Sequence, residues 1–142
     1  FIVNKKVFNS FNFNEKLNQY GYEDLLFAMV LKDRNVRIDH IDNPIINDDV
    51  ELNGVFLNKA KESAESLAII LKDKSNKSHV SDLKLAKAYY FLKDIHLDGL
   101  FSLFFKIAES SIKLRLKSGK AHLRLLDIYK LGILCRSMSI SN

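Results

Sequence analysis

Proline and glycine are scarce in this chain, and their scarcity limits its fold more than any other feature. The 142 residues include one proline and five glycines, the two residue types that most often interrupt a helix. Hydrophobic residues make up 47% of the chain and charged residues 27%, so the composition supports a buried core and excludes a disordered polymer. We therefore predict a domain built mostly of long helices.

Residues 55–138 show helical periodicity throughout. In a helix predicted over 55–73, apolar side chains share one face, and these are Phe56, Ala60, Ala64, Leu67 and Leu71. Polar residues end this helix, and further helices are predicted over 81–95, 97–117 and 120–136. We therefore assign 55–142 as a helical C-terminal extension with about four helices.

Residues 1–54 contain shorter elements. One or two helical turns are predicted over 4–11, and a buried helix over 23–34, because acidic residues in the first turn favour a helix start. Alternating apolar residues within 35–46 predict a short strand, which is followed by an extended stretch at Pro44. Residues 1–3 are predicted to form the end of another strand. The predicted fold class is therefore α+β but mostly helical, with a boundary near residue 54.

A dense motif lies in the first region, in the stretch FNFNEKLNQYGYEDLLF (11–27). It resembles a segment of glycosyltransferase family 2 enzymes that reads F-D-E-x-L-x-x-Y-G-x-E-D, with Asn14 in place of the customary aspartate. The stretches LKDRNVRIDHIDNPIIN (31–47) and DDVELNGVFLNKAKESAESL (48–67) continue the resemblance, which covers roughly residues 1–72. It implies that residues 1–54 are the C-terminal, acceptor-side part of a GT-A type catalytic domain.

The resemblance also implies roles for individual residues. Asp24 would be the general base that takes the proton from an acceptor hydroxyl as this hydroxyl attacks the anomeric carbon. Glu23 would orient the acceptor or support the loop, and Gly21 would allow a tight turn beside the acceptor. Tyr20 and Tyr22 would offer flat faces on which a sugar could stack. The structural alternative is that the two acids only charge the first turn of a helix.

Family members bind a nucleotide-sugar donor with a divalent metal, Mg or Mn, through an Asp-x-Asp motif. This chain contains neither that motif nor a glycine-rich phosphate loop, so the resemblance places the metal ligands and the donor site mainly outside it. His40 matches a strand histidine of the family and is a candidate metal ligand, although we favour a structural role. A second histidine of the family is replaced by Asn47. We therefore predict that this chain alone does not catalyse transfer.

Positive charge is concentrated in the last third of the chain. Residues 100–142 hold eight Lys or Arg and two Asp or Glu, a net charge of +6, whereas residues 1–99 carry a net charge of −1. Lys106, Lys113 and Lys117 share a face of the third predicted helix, and Arg124 follows in the fourth. Apolar residues flanked by such side chains are typical of a helix that lies on an anionic membrane. The alternative is a solvated basic face over a buried apolar one.

Motif and charge together predict the C-terminal part of an inverting glycosyltransferase. It would move a sugar from a nucleotide-sugar donor to a glycan or lipid-linked acceptor in surface-polysaccharide assembly. The single cysteine, Cys135, fits a reducing compartment, so we expect a cytoplasmic protein, peripheral at the inner face of the plasma membrane. Nucleic acid is not expected as a partner, because the aromatic residues of 100–142 do not alternate with basic ones.

The competing class of function is a non-enzymatic helical module. Such a module would bind a membrane surface or a protein partner through the basic C-terminal helices. A transferase that keeps the fold but has lost activity is a third interpretation, suggested by Asn14 and Asn47. The sequence does not identify the sugar, the linkage or the acceptor.

Overall fold

The computed structural model describes residues 2–10, 20–44, 46, 51–73, 77–119 and 122–140. Within these ranges the chain forms seven helices and no strand. The helices are α1 (Lys5–Ser10), α2 (Glu23–Asp33), α3 (Asn53–Lys72), α4 (Lys77–Val80), α5 (Lys84–Asp94), α6 (Asp98–Lys117) and α7 (Leu123–Ser139).

The prediction of a mostly helical chain with about four C-terminal helices is confirmed. Helices α3, α5, α6 and α7 each overlap one of the predicted helices, and their bounds differ by a few residues. The additional one-turn helix α4 lies in the segment that the sequence marks as a polar break. In the first region, α1 and α2 form where helical turns and a buried helix were predicted.

The predicted short strands are not seen among the described residues. Residues 2–4 and 36–44 have no regular secondary structure and no strand partner there. A strand needs a hydrogen-bonded neighbour, whereas alternation in the sequence shows only that one side of a segment is apolar. Val36 is partly buried, but Ile38 and Ile41 are 47% and 73% exposed, so the alternating apolar residues neither pair with a strand nor bury one side of the segment. The strand part of the α+β prediction is therefore wrong for these residues.

The hydrophobic core is centred on α3 and α7. One cluster joins these two helices to α4 and α5, and its most buried members include Leu67, Ile70, Val80, Ala86 and Leu134. A second cluster joins them to α6, through Leu57, Ala64, Phe105, Tyr129 and Ile133. Burial of one such leucine or isoleucine stabilises the fold by about 1.5–3 kcal/mol.

The inward face of α3 differs from the predicted face by one residue at its start. Leu57 is 4% exposed, whereas Phe56, predicted to face inward, is 46% exposed. Leu57 lies three residues before Ala60 and Phe56 lies four residues before it. Both spacings place a side chain on the helix face of Ala60, so the pattern does not distinguish them. Only the position of the neighbouring helices selects between them.

A close approach between α6 and α7 depends on Gly132. A Cβ atom at this position would lie 2.1–2.5 Å from ring carbons of Phe105, so the aromatic ring occupies the space of the missing side chain. Glycine inside a helix costs about 1 kcal/mol relative to alanine. Here that cost is offset by the burial of Phe105, which is 3% exposed.

We expect Gly132→Ala to destabilise the protein by about 1–3 kcal/mol, because the added methyl group must displace a buried ring. The urea midpoint measures this loss. The matched control is Gly99→Ala in α6, where nothing lies within 4 Å of an added Cβ. The control should be neutral or stabilising by up to about 1 kcal/mol, and an equal loss in both variants would contradict the close approach.

Candidate functional site

Residues 20–22 lead the chain into α2 through two left-handed backbone conformations. Gly21 has a φ of 109° and Tyr22 a φ of 70°, and the carbonyl of Tyr22 accepts the N–H of Leu26 at 2.8 Å. The carboxylate of Glu23 reaches back and accepts the backbone N–H of Gly21 at 2.7 Å. Glu23 therefore closes the turn, which is a loop-supporting contact.

The same turn packs tightly on α3. A Cβ atom on Gly21 would lie 2.8–2.9 Å from the Cα, Cβ and Oγ atoms of Ser63. Ser66 donates a hydrogen bond from its Oγ to the carbonyl of Tyr20 at 3.2 Å. Burial raises the pKa of Tyr22, and a hydrogen bond with the Ser63 side chain opposes this shift. These contacts fix the start of α2 relative to α3.

We expect Gly21→Ala to destabilise the fold by about 2–4 kcal/mol, because it combines a left-handed φ with a clash against the α3 backbone. Gly54→Ala is a suitable control, since nothing lies within 4 Å of a Cβ there. Thermal unfolding of both variants measures the difference. A melting temperature of Gly21→Ala equal to that of the control would refute the tight contact.

Asp24 occupies the first turn of α2, one residue beyond the turn-closing glutamate. Its side chain is exposed and has no hydrogen-bond or ion-pair partner among the described residues. It lines a groove of about 760 Å³ between α1, α2 and residues 36–43. The positive end of the α2 dipole favours a carboxylate at this position. Asp24 is thus an uncommitted carboxylate at the edge of a cleft.

The groove combines an apolar wall with a polar edge. Phe27 and Leu31 of α2 contribute to the wall, and α1 packs beside it with the Phe8 ring 6.3 Å from that of Phe27. The polar edge comes from the segment after α2, where Arg37 Nε donates to Asp39 Oδ1 at 2.8 Å. An exposed pair of this kind adds little stability, so these side chains remain able to exchange partners.

His40 and Asp39 line the same groove as Asp24, but they do not form a metal site. No group of three or more His, Cys, Asp or Glu side chains able to hold a metal occurs in the described part of the chain. The described residues therefore do not fit a resident Mg or Mn. Ligation by His40 stays a prediction.

The predicted acceptor-binding tyrosines do not line this groove. Tyr20 lines a separate pocket of about 390 Å³ with Glu51, Lys59 and Ser63 among its neighbours. The Lys59 ammonium lies 5.4 Å from the Tyr20 ring centroid and also pairs with Glu51. Tyr22 is partly buried against the hydrophobic core. The structure thus brings together Gly21, Glu23 and Asp24 and separates the Tyr20 ring from the cleft of Asp24.

The predicted basic face of α6 divides into two parts. Lys113 Nζ lies 2.7 Å from Glu109, and Arg136 of α7 reaches the same carboxylate at 2.6 Å. Burial alone would raise the pKa of Glu109, but hydrogen bonds from Lys113 and Arg136 lower it below its ordinary value. Lys106 and Lys117 are exposed on the same helix. The Glu109–Arg136 pair therefore ties α6 to α7, and Lys113 is paired with the same carboxylate. Of the three lysines on the predicted face, Lys106 and Lys117 are the two exposed to a partner.

We expect Glu109→Gln to destabilise the protein by about 1–2 kcal/mol at pH 7, because it leaves Lys113 and Arg136 without their shared carboxylate. The lowered pKa means that this stabilisation is present above the ordinary value of 4.5 and is lost as the pH falls through the lowered pKa. Urea midpoints at pH 7 and pH 3 should show the difference from the parent protein shrinking at the lower pH.

The control for this experiment is Glu65→Gln. Glu65 forms a single ion pair with Lys61 of the same helix at 3.6 Å, and such surface pairs contribute about 0.3–0.5 kcal/mol. A loss in Glu109→Gln no larger than in the control would contradict the bridging role.

Arg124 lies exposed in the first turn of α7, outside the Glu109 cluster. Phe13, Asn14, Glu15 and Leu17 of the family-like motif, like Asn47, lie outside the described residues. The sequence reasoning did not anticipate Arg37 and Asp39 at the groove edge. Their spacing of two residues in a non-helical segment is the signal that could have placed them on one side.

No known protein family matches this chain, and no significant match is found among curated proteins or solved structures. The resemblance to family 2 glycosyltransferases therefore rests on the quoted motif residues alone and stays a prediction.

Proposed function

We propose that this chain forms the acceptor side of an inverting glycosyltransferase, with Asp24 as the general base. The observation that supports this proposal is that the two adjacent acids differ in their contacts. Glu23 is bound to the backbone N–H of Gly21, whereas Asp24 is exposed at the groove with no partner among the described residues. Acids that only charged the first turn of the helix would need no cleft beside them, whereas Asp24 lines one.

In the proposed reaction, Asp24 accepts the proton of an acceptor hydroxyl while the hydroxyl oxygen forms a bond to the anomeric carbon of the donor. The bond from that carbon to the phosphate oxygen of the donor breaks, and the nucleoside diphosphate leaves with the electron pair. The donor and its metal would bind outside the described residues, among which no group of three or more possible metal ligands occurs. The part of this chain is to place the acceptor hydroxyl within about 3 Å of the Asp24 carboxylate.

The groove favours an acceptor with both polar and apolar parts. Its wall includes Phe27, Leu31 and Val36, and its edge includes Arg37 and His40. An apolar body could bury its surface on the wall while hydroxyl groups meet the polar edge. This supports a glycan carried on a lipid or another apolar group as the acceptor. The proposal places this transfer in surface-polysaccharide assembly at the inner face of the plasma membrane.

The decisive variant is Asp24→Asn in the complete enzyme, assayed with donor and acceptor. We expect kcat to fall by about 10²–10⁴-fold, because the amide cannot accept the proton, while the donor affinity stays unchanged. Asp127→Asn in α7, at another exposed carboxylate without a partner among the described residues, is the matched control and should keep activity within a few-fold. Transfer at the parental rate in Asp24→Asn would refute the assignment of the base.

Glu23 is a positioning residue in this proposal. Two substitutions distinguish its role as a hydrogen-bond acceptor from a role of its negative charge. A glutamine can still accept the Gly21 N–H through its amide oxygen, so Glu23→Gln should retain most of the activity. Glu23→Ala removes that acceptor and should cost about 1 kcal/mol of stability. A rate loss in Glu23→Gln as large as in Asp24→Asn would instead assign proton transfer to the pair.

A non-enzymatic helical module is the second candidate function, and a different surface favours it. The outer side of α6 exposes apolar and basic residues that take no part in the groove. Binding of a membrane or a protein through this surface would be unaffected by Asp24→Asn, so the two functions separate in one experiment.

A further inference from the structure

Helix α6 is apolar on two opposite sides. Its inner side packs Phe105, Ile112 and Leu116 into the second core cluster. Its outer side carries five large apolar residues that are between 50% and 75% exposed. We call these residues the α6 stripe; they are Leu100, Leu103, Phe104, Ile107 and Leu114.

The members of the α6 stripe share one face of the helix. Spacings of three, four and seven residues keep its members on one face, and Ser110 and Ser111 occupy the turn between Ile107 and Leu114. The exposed residues Ile95 and Leu97 precede the stripe along the chain. A single exposed leucine needs no explanation, but five large exposed apolar residues on one face, interrupted only by the two serines, mark an interaction surface.

Both edges of the α6 stripe are basic. Lys106 and Lys117 are eleven residues apart, which is about three helical turns, so they share one edge, and Arg115 lies on the other. All three are exposed. The acids of α6 are Asp98, in its first turn, and Glu109, which is held inward by Lys113 and Arg136. Beyond its first turn, the outer side of α6 is therefore apolar and positively charged.

We propose that the α6 stripe docks on an anionic membrane surface and lies among the lipid headgroups. The stripe runs along one side of α6, so the contact would lie along the membrane surface. No helix among the described residues is long and apolar enough to cross a bilayer. A second copy of the chain is a poorer occupant, because two such stripes would set basic edges against each other. Anionic headgroups match both the apolar face and the charge. This binding does not depend on the proposed transfer chemistry.

The first test is sedimentation of the protein with vesicles of phosphatidylglycerol and phosphatidylcholine, compared with phosphatidylcholine alone. We expect binding to the anionic vesicles that weakens as salt is raised. Ile107→Glu should lower the partition coefficient about tenfold or more, because it removes an apolar contact and adds a repelled charge. Leu123→Glu alters a residue that is 81% exposed in α7 and should change the partition coefficient less than about twofold.

The second test reverses the charge at the edge. The double variant Lys106→Glu with Lys117→Glu should lower binding to anionic vesicles about tenfold or more, whereas Lys84→Glu in α5, also exposed, should have little effect. Equal binding to neutral and anionic vesicles, or no binding at low salt, would overturn the proposal. A dimer in solution that Ile107→Glu dissociates, without vesicle binding, would assign the stripe to a second copy instead.

Discussion

The contact of Phe105 with the backbone of Gly132 determines the arrangement of the C-terminal helices. The ring occupies the space of a missing side chain, so α6 and α7 approach closely along one line. Other residues of α7 then surround the same ring: Tyr129 lies 5.9 Å away between centroids, and the Arg136 guanidinium lies 5.9 Å from the Phe105 centroid. Because this side of α6 is fixed inward, the opposite side must face outward.

A second glycine, Gly21, packs the turn before the two acids against α3. Gly21 rests on Ser63 of α3, and α3 is also the helix that packs against α7 in both core clusters. The groove of Asp24 and the α6 stripe are therefore attached to one core, although they use different residues.

Periodicity was sufficient to predict where the helices lie, because a buried helix repeats its apolar residues at a fixed spacing. It was insufficient where apolar residues cover more than one face. Helix α6 has Phe104 and Phe105 side by side, and their spacing does not indicate which one is buried. Similarly, Lys113 shares its predicted face with Lys106 and Lys117. It differs from them because it pairs with Glu109, which also binds Arg136 of α7.

The sequence alone determined the helical class, the start of α2 at two acids and the concentration of positive charge in the last third of the chain. These follow from local propensity, first-turn charge and composition, which act over a few residues. The tertiary structure decided that residues 36–43 lack a strand partner among the described residues, that the Tyr20 ring lies apart from Asp24, and that Glu23 closes a turn while Asp24 stays free. Each of these depends on contacts between residues that are far apart in the sequence. Local periodicity and charge do not specify such contacts.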